Sequence, residues 1–213
     1  MQVGEKRLRN IHLILREVFL KEVPGDYIET GVWRGGAAIY ARAVMRAYQQ
    51  SKERQIFVCD SFSGLPPSTL REDKQYGNWD HTPYTEVSDS AVLDNFVEHG
   101  VTDDGIVIVK GFFNSSLQPL ANHFKQLAVI RFDGDMYEAA VDMLYILYDK
   151  LSIGGFVIMD DWYGFPSKEA CEDFFAMHNM QPHIIQIDQL SAYWQKTEEV
   201  DIQKWRYEKK EFK

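Results

Sequence analysis

Apolar positions set the first reading of this chain. Leu8, Ile11, Leu15, Val18 and Phe19 recur three and four residues apart, which predicts an amphipathic opening helix closed by Pro24-Gly25. After it, short continuous apolar runs alternate with helical spacing. Residues 26–29 read as a strand, followed by a glycine-containing turn and a helix over 37–50. Residues 55–59 (QIFVC) form a second strand ending at Asp60, and 106–109 (IVIV) a third. Residues 127–132 form a fourth ending at Asp133, and 156–159 (FVIM) a fifth ending at Asp160-Asp161. Further helices are expected over 88–99 with Ser88 as cap, after a cap at Asn114 or Ser115, over 138–151 with Gly154-Gly155 as the stop, and from Ser167 to His178. Residues 183–187 and 192–195 complete seven strands, while 61–87 shows no clear period.

Apolar strands separated by helices need cover on both faces of a mainly parallel sheet. With right-handed crossovers the result is a doubly wound α/β fold, here one domain over residues 1–213. Ligands of such folds bind at the carboxyl ends of the strands. Glu29, Asp60, Asp133, Asp160 and Asp161 all fall at those ends.

Composition narrows the partners. A net charge of -9 repels a phosphate backbone, so nucleic acid is not an expected partner. Cys59 and Cys171 are too few for a disulfide framework and lack zinc spacing, which suits a reduced compartment. The N-terminal MQVGEKRLRN carries charges where a signal peptide needs an apolar core, and no apolar run approaches the roughly 20 residues of a membrane span. The expectation is a soluble, cytoplasmic protein without a membrane partner.

Three features carry candidate chemistry. In YIETGVWRGG, Gly31 follows a strand and Gly35-Gly36 precede a helix, but Val32, Trp33 and Arg34 fill the middle. A pyrophosphate-binding turn needs a glycine there, so the pattern disfavours an NAD-linked oxidoreductase. Glu29 suits a cationic ligand such as S-adenosylmethionine, which has an ammonium, a sulfonium and no phosphate. An ordinary β-to-α turn with a solvated glutamate fits the same residues. Asp60, at the end of the second strand, is placed to accept hydrogen bonds from ribose hydroxyls, as in NAD and S-adenosylmethionine sites alike; a turn aspartate before Ser61 is the plainer alternative.

The acidic cluster is the third feature. Asp133 and Asp135 lie in RFDGDMY, Asp160 and Asp161 in VIMDDW. If the two strands are neighbours, their ends stand about 5 Å apart. Two unit charges 4 Å apart repel by roughly 4 kcal/mol at an effective dielectric of 20. A shared proton or a bound cation must offset that, and a hard, oxygen-liganded ion such as Mg²⁺ fits. Aspartates stabilised by helix dipoles are the alternative reading. The scattered histidines form no H-x-x-x-H pair, and neither a G-x-S-x-G elbow nor a G-x-x-x-x-G-K-[ST] loop occurs.

Together RLRNIH, VPGDYIETGVWRGGAAIYARAV, DSFSGLP, VKGFF, LAVIRFDGDMYEA, LYDKLSIGGFVIMDDW and AYWQK resemble the macrocin O-methyltransferase (TylF-type) family, in order over nearly the whole chain. The resemblance implies a Rossmann-like class I methyltransferase that uses S-adenosylmethionine and Mg²⁺ on a hydroxyl of a sugar or other secondary metabolite. It places Glu29, Thr30 and Gly31 at the methionine end of the cofactor, Asp60 and Ser61 at the ribose, and Gly111 with Phe112 at the adenine. It assigns the metal to Asp133, Asp160 and Asp161, and the general base to Asp133 or Asp135. Phe112 and Ser115 stand where the family usually has Trp and Asp, and residues 65–87, in the place of a substrate lid, match poorly. Within that stretch Tyr76, Trp79 and Tyr84 are candidates to close over the site and exclude water, with a lid-free surface loop carrying ordinary packing aromatics as the equal alternative. A homodimer is a family-level expectation. A non-catalytic module that keeps the cofactor pocket is the rival reading, against which the intact acidic cluster weighs.

Overall fold

A computed structural model describes residues 3–77 and 85–212. Among them the chain runs α1 (Glu5–Leu20), β1 (Asp26–Thr30), α2 (Gly36–Ala47), β2 (Ile56–Asp60), α3 (Arg71–Tyr76), α4 (Asp89–Glu98), β3 (Ile106–Lys110) and α5 (Phe113–Ala121). It continues with β4 (Leu127–Phe132), α6 (Tyr137–Leu147), β5 (Leu151–Met159), α7 (Pro166–Met177), β6 (Ile185–Gln186), β7 (Ala192–Gln195) and α8 (Lys204–Lys209). The strands form a seven-stranded sheet in the order β3-β2-β1-β4-β5-β7-β6. Strands β1 to β5 pair in parallel, and the β7 and β6 pairings are antiparallel. The order reverses between β1 and β4, which opens a ligand crevice at their carboxyl ends. No helix of the described residues is long and apolar enough to cross a membrane.

Strand alternation sorts the core into two layers. Tyr27, Ile56, Val58, Val129 and Ile158 pack with Ile11, Ile39 and Phe96 of α1, α2 and α4. Ile28, Phe57, Ile130, Val157 and Met159 pack with Leu117, Leu144 and Phe174 of α5, α6 and α7. Helix α6 is buried nearly all round, and its mostly apolar sequence YEAAVDMLYIL, broken only by Glu138 and Asp142, follows from that.

Several local readings need correction. Gly154 and Gly155 do not stop a helix. Helix α6 ends at Leu147, a single 3-10 turn follows, and both glycines lie inside β5. The β4–β5 register shifts there, Leu127 facing Leu151 but Val129 facing Phe156. A Cβ on Gly155 would stand 2.8 Å from the Ala128 carbonyl oxygen, so glycine permits this bulge. Helix α5 is capped at Phe112, whose backbone is extended, not at Asn114 or Ser115. The Ser115 hydroxyl donates back to the Phe112 carbonyl at 2.9 Å. Ser167 lies within α7, after Pro166 at its first position, and its hydroxyl donates to the Asp161 carbonyl. Ser88 does cap α4, accepting from the Ala91 amide at 3.2 Å.

Helix α8 docks on α6 through a polar contact. The Tyr207 hydroxyl donates to Asp142 Oδ1 at 2.6 Å. Burial pushes the Asp142 carboxyl up from 3.8 to about 7, against that hydrogen bond. Between these values the folded chain keeps a proton the unfolded chain has released, so stability falls as pH rises through the window. An Asp142→Asn variant keeps the acceptor and removes the titration. It should gain roughly 1–3 kcal/mol over the parent at pH 8 and nothing at pH 4. Urea denaturation at both pH values measures this, and an equal effect at both would contradict it.

Candidate active site

Backbone pairing continues past the strands and aligns their ends. The Asp133 amide donates to Thr30 O, the Asp160 amide to Phe132 O, the Gly31 amide to Cys59 O and the Gly111 amide to Asp60 O, all at 2.8–2.9 Å. A cavity of about 990 Å³ lies over them. Glu29, Gly31, Asp60, Ser61, Phe112, Asp133, Asp135, Asp160 and Asp161 line it. Thr30 and Gly111 do not: Thr30 is fully buried, its hydroxyl donating to the Arg131 carbonyl at 3.3 Å. Gly31 has φ +87, and a Cβ there would sit 1.9 Å from the Asp133 carbonyl oxygen, so only glycine fits at the junction of β1 and β4.

Asp60 organises the two loops beside it. Its Oδ2 accepts from the Val32 and Trp33 amides at 2.8 and 3.2 Å, and its Oδ1 from the Phe62 amide at 2.9 Å. The carboxylate thus fixes the β1–α2 turn, in which Trp33 adopts φ +47, against the start of the loop after β2.

The acids converge as their strand ends require, and two arginines enter among them. Asp133, Asp160 and Asp161 each offer an oxygen, and these oxygens lie within 4.8 Å of one another. Arg131, 1% exposed, donates to Glu29 Oε1 at 3.1 Å, Asp133 Oδ2 at 2.9 Å and Asp160 Oδ1 at 2.6 Å. Arg7 of α1 pairs with Asp160 Oδ2 and donates to Asp188 Oδ2 at 2.7 Å. Glu29 also accepts from the Tyr27 hydroxyl at 3.0 Å. Burial nonetheless lifts Glu29 to about 7, opposed chiefly by Arg131.

Of the three clustered acids, Asp161 is the one the arginines do not reach. It is 6% exposed, and its Oδ2 has no hydrogen-bond partner. Burial, then Asp133, Asp135 and Asp160, push its carboxyl up to about 11. Asp135, at φ +56 in the left-handed region, is lifted to about 7 by burial and then by Asp133. A shared proton or a cation is what such a group of oxygens calls for. Oxygen donors alone, with one buried oxygen unspoken for, fit a hard divalent ion.

One wall comes from the stretch without periodicity. Gly64, Leu65, Pro66, Pro67 and Thr69 line the cavity. Asp73 of α3 accepts from the Tyr137 and Glu138 amides at 2.6 and 3.2 Å, supplying the N-terminal cap α6 otherwise lacks. The wall is therefore tied to the helix that follows the Asp133–Asp135 turn. Of the aromatics that are candidates to close over the site, Tyr76 is half exposed and does not line the cavity, while Trp79 and Tyr84 lie outside the described residues.

The sequence reading missed Arg131 and Arg7. The signal for Arg131 was present: a single charge inside the apolar strand LAVIRF must find partners. Arg7 carried no comparable signal, because its partners are 153 and 181 residues away.

Comparison with known proteins gives the family and the fold. The family model described as "Macrocin-O-methyltransferase (TylF)" matches residues 1–196. The chain is 36% identical over 200 residues to the mycinamicin III 3''-O-methyltransferase of Micromonospora griseorubida, covering 92% of this chain and 78% of that one. It is 38% identical over 199 residues to the demethyldecarbamoylnovobiocin O-methyltransferase of Streptomyces niveus, covering 92% and 75%. Among solved structures, that of the O-methyltransferase NovP superposes with a TM-score of 0.88 at 36% identity, over 93% of this chain and 82% of that one. The calicheamicin methyltransferase CalS11, at 19% identity and a TM-score of 0.73 over 90% and 80%, shares the fold.

Proposed function

The chain belongs to the macrocin O-methyltransferase family, and from that premise we propose that this S-adenosylmethionine-dependent O-methyltransferase methylates a sugar hydroxyl of a natural product, with a divalent cation held by Asp133, Asp160 and Asp161. The relatives are named for mycinamicin III, demethyldecarbamoylnovobiocin and a rhamnosyl tetracenomycin C, and the last of these names supports a glycosylated small molecule as acceptor. The observation that carries the cation is the buried, unpartnered Asp161 Oδ2 facing two further carboxylates at the strand ends.

Each part of the cavity has a task in this reading. The donor supplies an electrophilic methyl on its sulfonium, and a bound Mg²⁺ supplies Lewis acidity toward the acceptor oxygen. Glu29 and the Gly31 turn border the methionine end, and the buried Glu29 carboxylate complements its positive charge. Asp60 holds that turn and, with Ser61, borders the ribose, while Phe112 flanks the adenine. Asp135 takes the proton of the acceptor hydroxyl, since it lines the same cavity beside the three clustered acids without being one of them. The chain's contribution is to hold donor, acceptor and base in line, worth roughly 7–11 kcal/mol of barrier in well-oriented systems.

Radiolabelled S-adenosylmethionine offered with a panel of glycosylated natural products, rhamnosides among them, tests this. Label should pass to the glycoside, stop on addition of EDTA and resume with excess Mg²⁺. Transfer that survives exhaustive chelation would remove the cation from the reading, and absence of donor binding in calorimetry would remove the cofactor site.

A further inference from the structure

Both oxygens of Asp160 are occupied, by arginines of different character. Oδ1 accepts from Arg131. That side chain is 1% exposed, rooted in β4 and held by Glu29 and Asp133 as well, so it is fixed. Oδ2 pairs with Arg7, whose side chain is 14% exposed, comes from the first turn of α1 and lines the cavity. Arg7 also has a second anchor. Its Nε donates to Asp188 at 2.7 Å, and Asp188 is held independently by the Leu190 and Ser191 amides at 2.9 Å each. Arg7 can therefore leave Asp160 and stay paired.

We propose that Arg7 is a positioning residue of the cation site: it holds Asp160 in place before loading and withdraws from the Asp160 carboxylate when a divalent ion loads, keeping only Asp188. The inference rests on the reading that Asp133, Asp160 and Asp161 bind that ion. Its physical basis is like charge. An ion on the Asp160 carboxylate and a guanidinium on the same carboxylate would be two cations a few ångströms apart in a buried crevice, where repulsion is weakly screened. One of them must withdraw, and Arg7 has a place to go. Loading then also loosens the tie between α1 and the sheet at the mouth of the cavity.

The test titrates Mn²⁺ into the full chain, followed by calorimetry and by the loss of the free-ion electron paramagnetic resonance signal. Arg7→Gln, which removes the competing charge, should bind Mn²⁺ more tightly than the parent, on the order of tenfold. Arg7→Lys, which keeps the charge, should stay within about threefold of the parent. A merely structural arginine would do the reverse, its loss weakening the site or leaving it unchanged. Parent binding with Arg7→Gln equal or weaker overturns the role of Arg7 and leaves the cation site standing. No Mn²⁺ binding by any of the three proteins overturns both. Thermal melts of the three confirm that each is folded before the comparison is drawn.

Discussion

Replacing Arg131 by methionine should cost about 3–5 kcal/mol of folding stability, because it strands buried carboxylates without their partner. Glu29, Asp133 and Asp160 all receive hydrogen bonds from this one guanidinium, and two of them are buried with it. Methionine fills most of the volume, so the loss is electrostatic and not a cavity effect. Urea denaturation at pH 8 measures it, and a loss under about 1 kcal/mol would mean that the acids do not depend on Arg131. Adding Glu29→Gln to the variant should return part of the stability, because Glu29 is already lifted to about 7 by burial and is lifted further once its main counter-charge is gone. Failure of that second change to recover anything would place the damage in packing. Arg131→Lys should fall between: an ammonium keeps the charge but cannot fork across three carboxylates.

The same residue shows where sequence reading stops. The strand ends were legible because continuous apolar runs terminate sharply at Asp60, Asp133 and Asp160, and a parallel sheet puts such ends on one edge. The convergence of Asp133 with Asp160 followed from β4 and β5 being neighbours, which alternating strands and helices made the natural topology. The repulsion argument was sound as far as it went: something had to offset those charges. It named a proton or an ion and overlooked that the chain brings two cations of its own. Arg131 was readable in principle from a charge within LAVIRF, whereas Arg7 depends on how α1 lies across the sheet, which no local pattern encodes. Gly154-Gly155 misled for a related reason. Two glycines stop a helix or permit a strand bulge equally well, and only the pairing of β5 with β4 decides between them. Asp73 lay hidden because a cap supplied from another helix leaves no trace beside the helix it caps.

Asp135→Asn should lower kcat by about 10²–10⁴ while leaving donor affinity, measured by calorimetry, within about twofold. Asparagine is isosteric and among the few residues that tolerate the left-handed backbone at this position, φ +56, so the turn between β4 and α6 is expected to survive. What it cannot do is accept a proton. Asp135 is the better base of the two candidates on geometry. Asp133 has Oδ2 engaged by Arg131 at 2.9 Å and contributes an oxygen to the group of three, whereas Asp135 lines the same cavity outside that group. The two substitutions therefore separate. Asp133→Asn should disturb both turnover and Mn²⁺ affinity, because it changes a ligand and a partner of Arg131 at once. Asp135→Asn should disturb turnover far more than Mn²⁺ affinity, which it reaches only through the charge it removes beside Asp161. A fall of less than tenfold in Asp135→Asn, with the proton still leaving the acceptor at an undiminished rate, would move the base to Asp133 and make the Asp135 carboxyl a neighbour that merely shares a proton with Asp161.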